Sequence, residues 1–140
     1  MISGMAHICM NVKDLAASEK FYCRMLGMEK RFRFLKKGEE IGFYADAGNA
    51  TFIEFFQSES TTPGKEQLSP FKHLCLQVDD IEKIRTQLEE YGVNLGEKKL
   101  GADGSFQAWT ADPDGVPIEL HEYTSESSQR TGRDVCLDAD

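Results

Sequence analysis

Positions 7–12, HICMNV, alternate: Ile8, Met10 and Val12 are apolar, and His7, Cys9 and Asn11 between them carry polar or ligand groups. A period of two belongs to a strand with one packed face, so this stretch predicts a strand that offers His7, Cys9 and Asn11 to a second surface. From Asp14 the period lengthens. Leu15, Phe21, Tyr22, Met25 and Leu26 fall at helical spacing behind Asp14 as N-cap, and Gly27 can take the left-handed conformation that ends a helix. MEKRFRFL, IGFYAD and ATFIEFFQ then read as three strands, with Gly38 in the first connection and Gly48-Asn49 marking a tight hairpin before the last. The same order returns after residue 70. FKHLCLQV reads as a strand, Asp80 caps a helix carrying Ile81, Ile84, Leu88 and Tyr91, Gly92 ends it, and VNLGEKKL, SFQAWTA and VPIELHEY follow as strands. His73 repeats His7 at an offset of 66, Asp80 repeats Asp14 at the same offset, and Glu119 repeats Glu54 at an offset of 65.

The pattern therefore predicts a β-α-β-β-β module over 1–57, a polar linker with two prolines over 58–70, and a second module over 71–124. The remainder, 125–140, is polar and aperiodic and is expected to be mobile. One helix covers only one face of four strands. The expected architecture is thus α+β, with two modules side by side as one domain, helices outside, and the other faces curving into a half-barrel. That floor would carry His7, Cys9, Asn11, Glu54, His73, Cys75, Gln77 and Glu119.

Composition narrows the partners. A chain of 140 residues is long enough for one domain with a real core. Its 16 Lys and Arg against 24 Asp and Glu give a net charge of −8, which argues against nucleic acid as a partner. No apolar run approaches a membrane span and no signal-peptide pattern opens the chain, so a cytoplasmic protein without a membrane partner is expected. In that compartment Cys9, Cys23, Cys75 and Cys136 would be free thiols.

Each module contributes one imidazole from its first strand and one carboxylate from its last. Two nitrogens and two oxygens suit zinc, nickel, cobalt, manganese or ferrous iron better than copper(I) or calcium. The plainer reading is that repeated strand residues persist as packed core. Two inward carboxylates with no cation would be costly, which favours metal. A rival site, His7, Cys9, His73 and Cys75 as structural zinc, is disfavoured because residues two apart on a strand lie about 6.6 Å apart with parallel side chains. The two cysteines then read as small cavity-wall residues. His121 shares the face of Glu119 and reads as a strand-end residue or a substrate contact. Phe52 and Phe56 flank Glu54 as core or as pocket wall, with Asn11 and Gln77 as further pocket positions. Arg31, Arg33, Lys36 and Lys37 form a basic cluster that could be a solvated edge or could receive an anionic substrate tail.

From about Met5 to Tyr123 the chain resembles the vicinal oxygen chelate superfamily, and within it the short glyoxalase I enzymes. HICMNVKDLAASEKFYCRMLGM is similar to the family's opening strand and helix, HLCLQVDDI to its second opening, and DPDGVPIEL to its closing turn and strand. The resemblance puts His7, Glu54, His73 and Glu119 on the metal positions, with Glu119 as catalytic base and Glu54 as its symmetric partner. It leans towards nickel or cobalt, with zinc, manganese or iron as alternatives, and towards a homodimer acting on a small molecule. The implied function is a lyase or isomerase that moves a proton through a metal-stabilised enediolate, as on a hemithioacetal of methylglyoxal. Asn11 stands where short glyoxalase I enzymes commonly carry a cationic residue, and Ser58 where they commonly carry an amide. A thiol other than glutathione, or another carbon acid, is therefore an equal expectation. Competing readings within the fold are an acyl-CoA epimerase, a ring-cleaving dioxygenase and a metal-free small-molecule-binding resistance protein.

Overall fold

The computed structural model describes residues 5, 7–58, 71, 73–131 and 135. The expected linker therefore lies outside the described residues except for Ser58. The chain divides into two compact units, one carrying the first four strands together with the turn Asp112–Asp114, the other carrying the last four.

In the first unit, β1 (His7–Val12) leads into α1 (Leu15–Glu19), which runs on without a break into a π-helical turn (Lys20–Met25). β2 (Glu29–Lys36), β3 (Glu39–Gly48) and β4 (Thr51–Gln57) complete a four-stranded sheet of order β1-β4-β3-β2. β1 and β4 are parallel and the other pairs antiparallel. Asp14 caps the helix by accepting from the Ala17 N–H, as its sequence position predicts. The π turn shows in the Leu26 N–H donating five residues back to Phe21 O at 3.0 Å. Gly27, at φ 79°, then ends the element. One face of the sheet carries Met10, Val12, Phe43, Ala45, Ile53 and Phe55, which are buried along with Phe21, Tyr22 and Met25 of the helix. Each of the larger side chains contributes about 1.5–3 kcal/mol by leaving water. The β3–β4 hairpin turns at Asn49 and Ala50, at φ 52° and 57°, the left-handed pair that matches strand twist.

The second unit repeats the plan: β5 (Leu74–Gln77), α2 (Ile81–Glu90), β6 (Lys99–Leu100), β7 (Phe106–Ala111) and β8 (Pro117–Glu122), in the order β5-β8-β7-β6. Its core is Leu74, Ile81, Leu88, Leu95, Ala108, Ile118 and Leu120. The N-terminus of α2 is doubly held. Asp80 accepts from Glu82 and Lys83 N–H groups, and Glu122 of β8 accepts from Ile81 N at 2.9 Å. Both sheets are mixed and open, so the fold is α+β.

Three stretches differ from the sequence expectation. FKHLCLQV is a strand only over Leu74–Gln77, so His73 stands one residue before it. VNLGEKKL forms a strand only at Lys99–Leu100; before it the carbonyls of Leu95 and Gly96 accept from the Arg85 guanidinium, and Gly96 N donates to Trp109 O at 2.8 Å. After Tyr123, where no packed structure is expected, α3 (Ser128–Thr131) folds onto the turn before β7. Ser128 N donates to Asp103 O at 2.7 Å, Ser105 Oγ to Ser127 Oγ at 2.8 Å, and the Gln129 amide to Asp103 Oδ2 at 2.7 Å. These are polar contacts, with no apolar period to announce them.

Candidate metal centre and active site

The uncovered face of the first sheet is built by strand alternation. Parallel pairing of β1 with β4 sets Cys9 opposite Glu54, His7 opposite Phe52 and Asn11 opposite Phe56. His7, Cys9 and Asn11 are exposed, and Glu54 is half-buried. The Cys9 thiol lies against Glu54, and its pKa is raised by burial, by its hydrogen bond to that carboxylate and by the carboxylate's charge. The rest of the face is aromatic. Tyr44 stacks on Phe32 at 4.6 Å and on Phe52 at 5.1 Å, and meets the edge of the His7 ring at 5.8 Å. Phe34 packs on Phe56 at 4.6 Å beside Gly42, where a Cβ would meet the Phe55 carbonyl and come within 2.8 Å of the Phe56 ring. At the sheet edge, Lys30, Arg31, Phe32, Arg33 and Leu35 line an open hollow of about 520 Å³. Of the basic cluster of the sequence only Arg31 and Arg33 line it, and Arg31 pairs with Glu29 at 3.2 Å; Lys30, outside that cluster, pairs at 2.8 Å with both Glu19 and Glu40.

The second sheet holds the tighter arrangement. Glu119 is only 7 % exposed, and each carboxylate oxygen meets an imidazole: Oε2 lies 3.0 Å from His73 Nε2, and Oε1 lies 3.0 Å from His121 Nε2. Cys75 is the in-register partner of Glu119 across β5 and β8. Its residue reaches solvent, yet the thiol is pushed up to about 12, by desolvation first, then by the charge and hydrogen bond of Glu119, and by Asp103. Trp109, opposite Glu119 on β7, sets its ring at 5.0 Å to that of His73. Gln77, exposed at the end of β5, pairs in register with His121.

This repeated arrangement, with a histidine on β1 and another one residue before β5, and a glutamate on the last strand of each unit, agrees with a family model. Residues 4–120 match that of the Glyoxalase/Bleomycin resistance protein/Dioxygenase superfamily. The chain belongs to this superfamily. A probable lactoylglutathione lyase from Synechocystis sp. is 33 % identical over 87 % of this chain and 97 % of its own length. Glutathione transferase FosA from Serratia marcescens is 27 % identical, covering 86 % of this chain and 82 % of that protein. Among solved structures, the glyoxalase family protein from Enterococcus faecalis superposes with a TM-score of 0.71 at 26 % identity, covering 86 % of this chain and 98 % of that one.

Superfamily proteins commonly bind a divalent metal, and the residues here fit one. A buried carboxylate between two neutral-capable imidazoles is a donor set a cation would complete. The structure groups His73 and Glu119 in one unit and His7 and Glu54 in the other. Sequence reasoning underrated two residues. Spacing along a single strand disfavours a site from His7, Cys9, His73 and Cys75, and the structure brings Cys75 to a different pair of donors. Across the parallel β5–β8 pair the donor atoms of Cys75, Glu119 and His121 all lie within 4.8 Å of one another. The shared offset of β5 and β8 in the two modules was the signal that could have shown it.

Proposed function

We propose that the chain is a divalent-metal-dependent lyase or isomerase of the glyoxalase I type, acting on a carbon acid next to a carbonyl. The observation that carries this reading is Glu119, a buried carboxylate with His73 and His121 at 3.0 Å each, at the position to which the resemblance to short glyoxalase I enzymes assigns the base. His7, Glu54, His73 and Glu119 would hold the ion. When bound, it would polarise the substrate carbonyl and offset the negative charge that develops as the neighbouring carbon loses its proton.

The chain's own residues do the rest. Glu119 takes the proton from the carbon bearing the thiol-derived sulfur and returns it to the adjacent carbon, so that bonds and electrons balance with no external oxidant. Glu54 is its counterpart from the first unit. The His121 imidazole, 3.0 Å from Oε1, steadies the carboxylate in both states. Tyr44, Phe52 and Phe56 supply an apolar wall, and Arg31 and Arg33 offer cations to an anionic substrate tail. The names of both curated relatives include glutathione, which supports a thiol-conjugated substrate, although Asn11 and Ser58 alter two positions of the short glyoxalase I pattern. The FosA likeness supports a second reading, thiol addition to an electrophile. The first reading also implies a cytoplasmic homodimer, supported by the exposed Phe32 (49 %) and Leu35 (53 %) on an edge strand.

Heavy-water exchange tests the chemistry. Protein loaded in turn with nickel, cobalt and zinc should catalyse deuterium incorporation into a hemithioacetal of methylglyoxal with glutathione or another small thiol. Glu119→Gln should lower that rate by about 10²–10⁴-fold while retaining most of the metal. A Glu119→Gln protein that exchanges as fast as the parent rejects Glu119 as the base. Adduct formation without exchange would favour the transferase reading.

A further inference from the structure

We propose that Cys75, Glu119 and His121 form a divalent-cation site of mixed sulfur, oxygen and nitrogen donors contained wholly within the second unit, selective for thiophilic ions such as Zn²⁺, Co²⁺ and Cd²⁺. The placement follows from sheet register. In the parallel β5–β8 pair Cys75 sits directly opposite Glu119, and His121 follows two residues later on the same face, opposite Gln77. The three donor atoms lie within 4.8 Å of one another. The Glu119 Oε1 to His121 Nε2 distance of 3.0 Å is close to the edge of a coordination polyhedron with metal–ligand bonds of about 2.0–2.2 Å. Three protein donors with an open position is an arrangement zinc accepts readily, and the sulfur is what sets this group apart. Mixed imidazole and carboxylate ligands discriminate weakly among divalent metals. A thiolate favours the softer ones.

The remaining partner is also in place. His73 Nε2 stands 3.0 Å from the second carboxylate oxygen, so it holds Glu119 with Oε1 turned towards Cys75 and His121. On binding, the Cys75 thiol gives its proton to solvent and the sulfur joins the ion, while Glu119 and His121 contribute lone pairs they already present. The inference shares with the proposed function the use of Glu119 as a metal donor. It does not need His7 or Glu54.

Cobalt tests it by a spectroscopic readout independent of turnover. Full-length protein is titrated with Co²⁺, with bound metal measured by equilibrium dialysis and the near-ultraviolet sulfur-to-cobalt charge-transfer band recorded alongside. The parent protein should show the band. Cys75→Ser should abolish it and weaken cobalt binding by at least about tenfold, and His121→Gln should weaken binding comparably while leaving a sulfur band at saturation. His7→Ala should keep the band. Cys75 is exposed and serine nearly isosteric, so that variant should fold; a Cd²⁺ titration, read by its own sulfur band, provides a second measurement. Cobalt bound with no sulfur band, or an unchanged affinity in Cys75→Ser, overturns the proposal. If such cobalt is also lost in His7→Ala, the metal set of the proposed function stands without this one. If the sulfur band persists in His7→Ala but the metal-loaded parent protein exchanges deuterium into no substrate, this site stands and the lyase reading falls.

Discussion

Replacing Tyr22 with Phe removes one oxygen from a fully buried ring, and with it a short hydrogen bond to Asp112 and a long one, 4.0 Å, to Met10 Sδ. The Tyr22 hydroxyl donates to Asp112 Oδ2 at 2.8 Å, with Tyr22 at 0 % exposure and Asp112 at 6 %. The other oxygen of that carboxylate accepts from Asp114 N at 2.8 Å, and Asp114 in turn accepts from Lys13 N at 2.9 Å. The phenol thus ties the Asp112–Asp114 turn to the helix and to the end of β1. Phe keeps the ring contacts with Phe21 and Phe55, so no cavity opens and the cost is chiefly that of the hydrogen bond to Asp112. A bond to a charged acceptor is worth about 1.5–3 kcal/mol net, and burial points to the middle of that range or above, so about 2 kcal/mol is expected. With an unfolding entropy of about 2.1 cal/mol/K per residue, that lowers the melting temperature by roughly 7 °C. Urea unfolding at pH 7 measures it, and a cycle with Asp112→Asn should show coupling of about 1 kcal/mol or more. The pH dependence has a definite sign. Burial first, and the Asp112 charge second, push the Tyr22 hydroxyl far above its ordinary range. The unfolded tyrosine titrates near pH 10, so the stabilisation is complete below that pH and declines as the pH rises above it. Tyr22→Phe should flatten this alkaline decline. A variant within about 0.5 kcal/mol of the parent, or additive with Asp112→Asn, would refute the reasoning.

Two further substitutions probe the scaffold. Glu122 accepts from the Ile81 N–H and pairs with Lys98 at 2.8 Å, which hold its carboxyl below the ordinary range. Its contribution is present above the unfolded carboxyl pKa near 4.3 and lost as pH falls through the lower folded value; Glu122→Gln should therefore cost about 1 kcal/mol at pH 7 and progressively less in acid, as followed by thermal melts across pH. Gly42→Ala would drive a Cβ against the Phe55 carbonyl and the Phe56 ring, and a loss of about 1–3 kcal/mol in urea unfolding is expected; equal stability would show that the two strands can part there.

The repeat made most of the fold readable. Asp14 and Asp80 cap helices, Gly27 and Gly92 close them, and alternation put His7, Glu54 and Glu119 on the sheet faces opposite the apolar core positions, with His73 one residue before β5. What stayed hidden depends on neighbours rather than on period. The π turn keeps the same buried residues as an α-helix would, so spacing cannot reveal the Leu26 to Phe21 bond. The stretch around Leu95 alternates like a strand, but a single arginine from α2 takes its carbonyls. α3 rests on hydroxyl and amide bonds that hydropathy does not register. Similarly, the meeting of Cys75 with His121 required knowing that β5 lies beside β8.

The chain has a single tryptophan, Trp109, whose ring stands edge-on to the His73 imidazole and whose backbone partner is Glu119. Its emission is therefore a built-in optical gauge of one carboxylate's surroundings. A paramagnetic ion bound at Glu119, as proposed, would quench it, and no second indole adds background. Occupancy of this one centre can be followed in real time, at micromolar protein, without a label and without knowing the substrate.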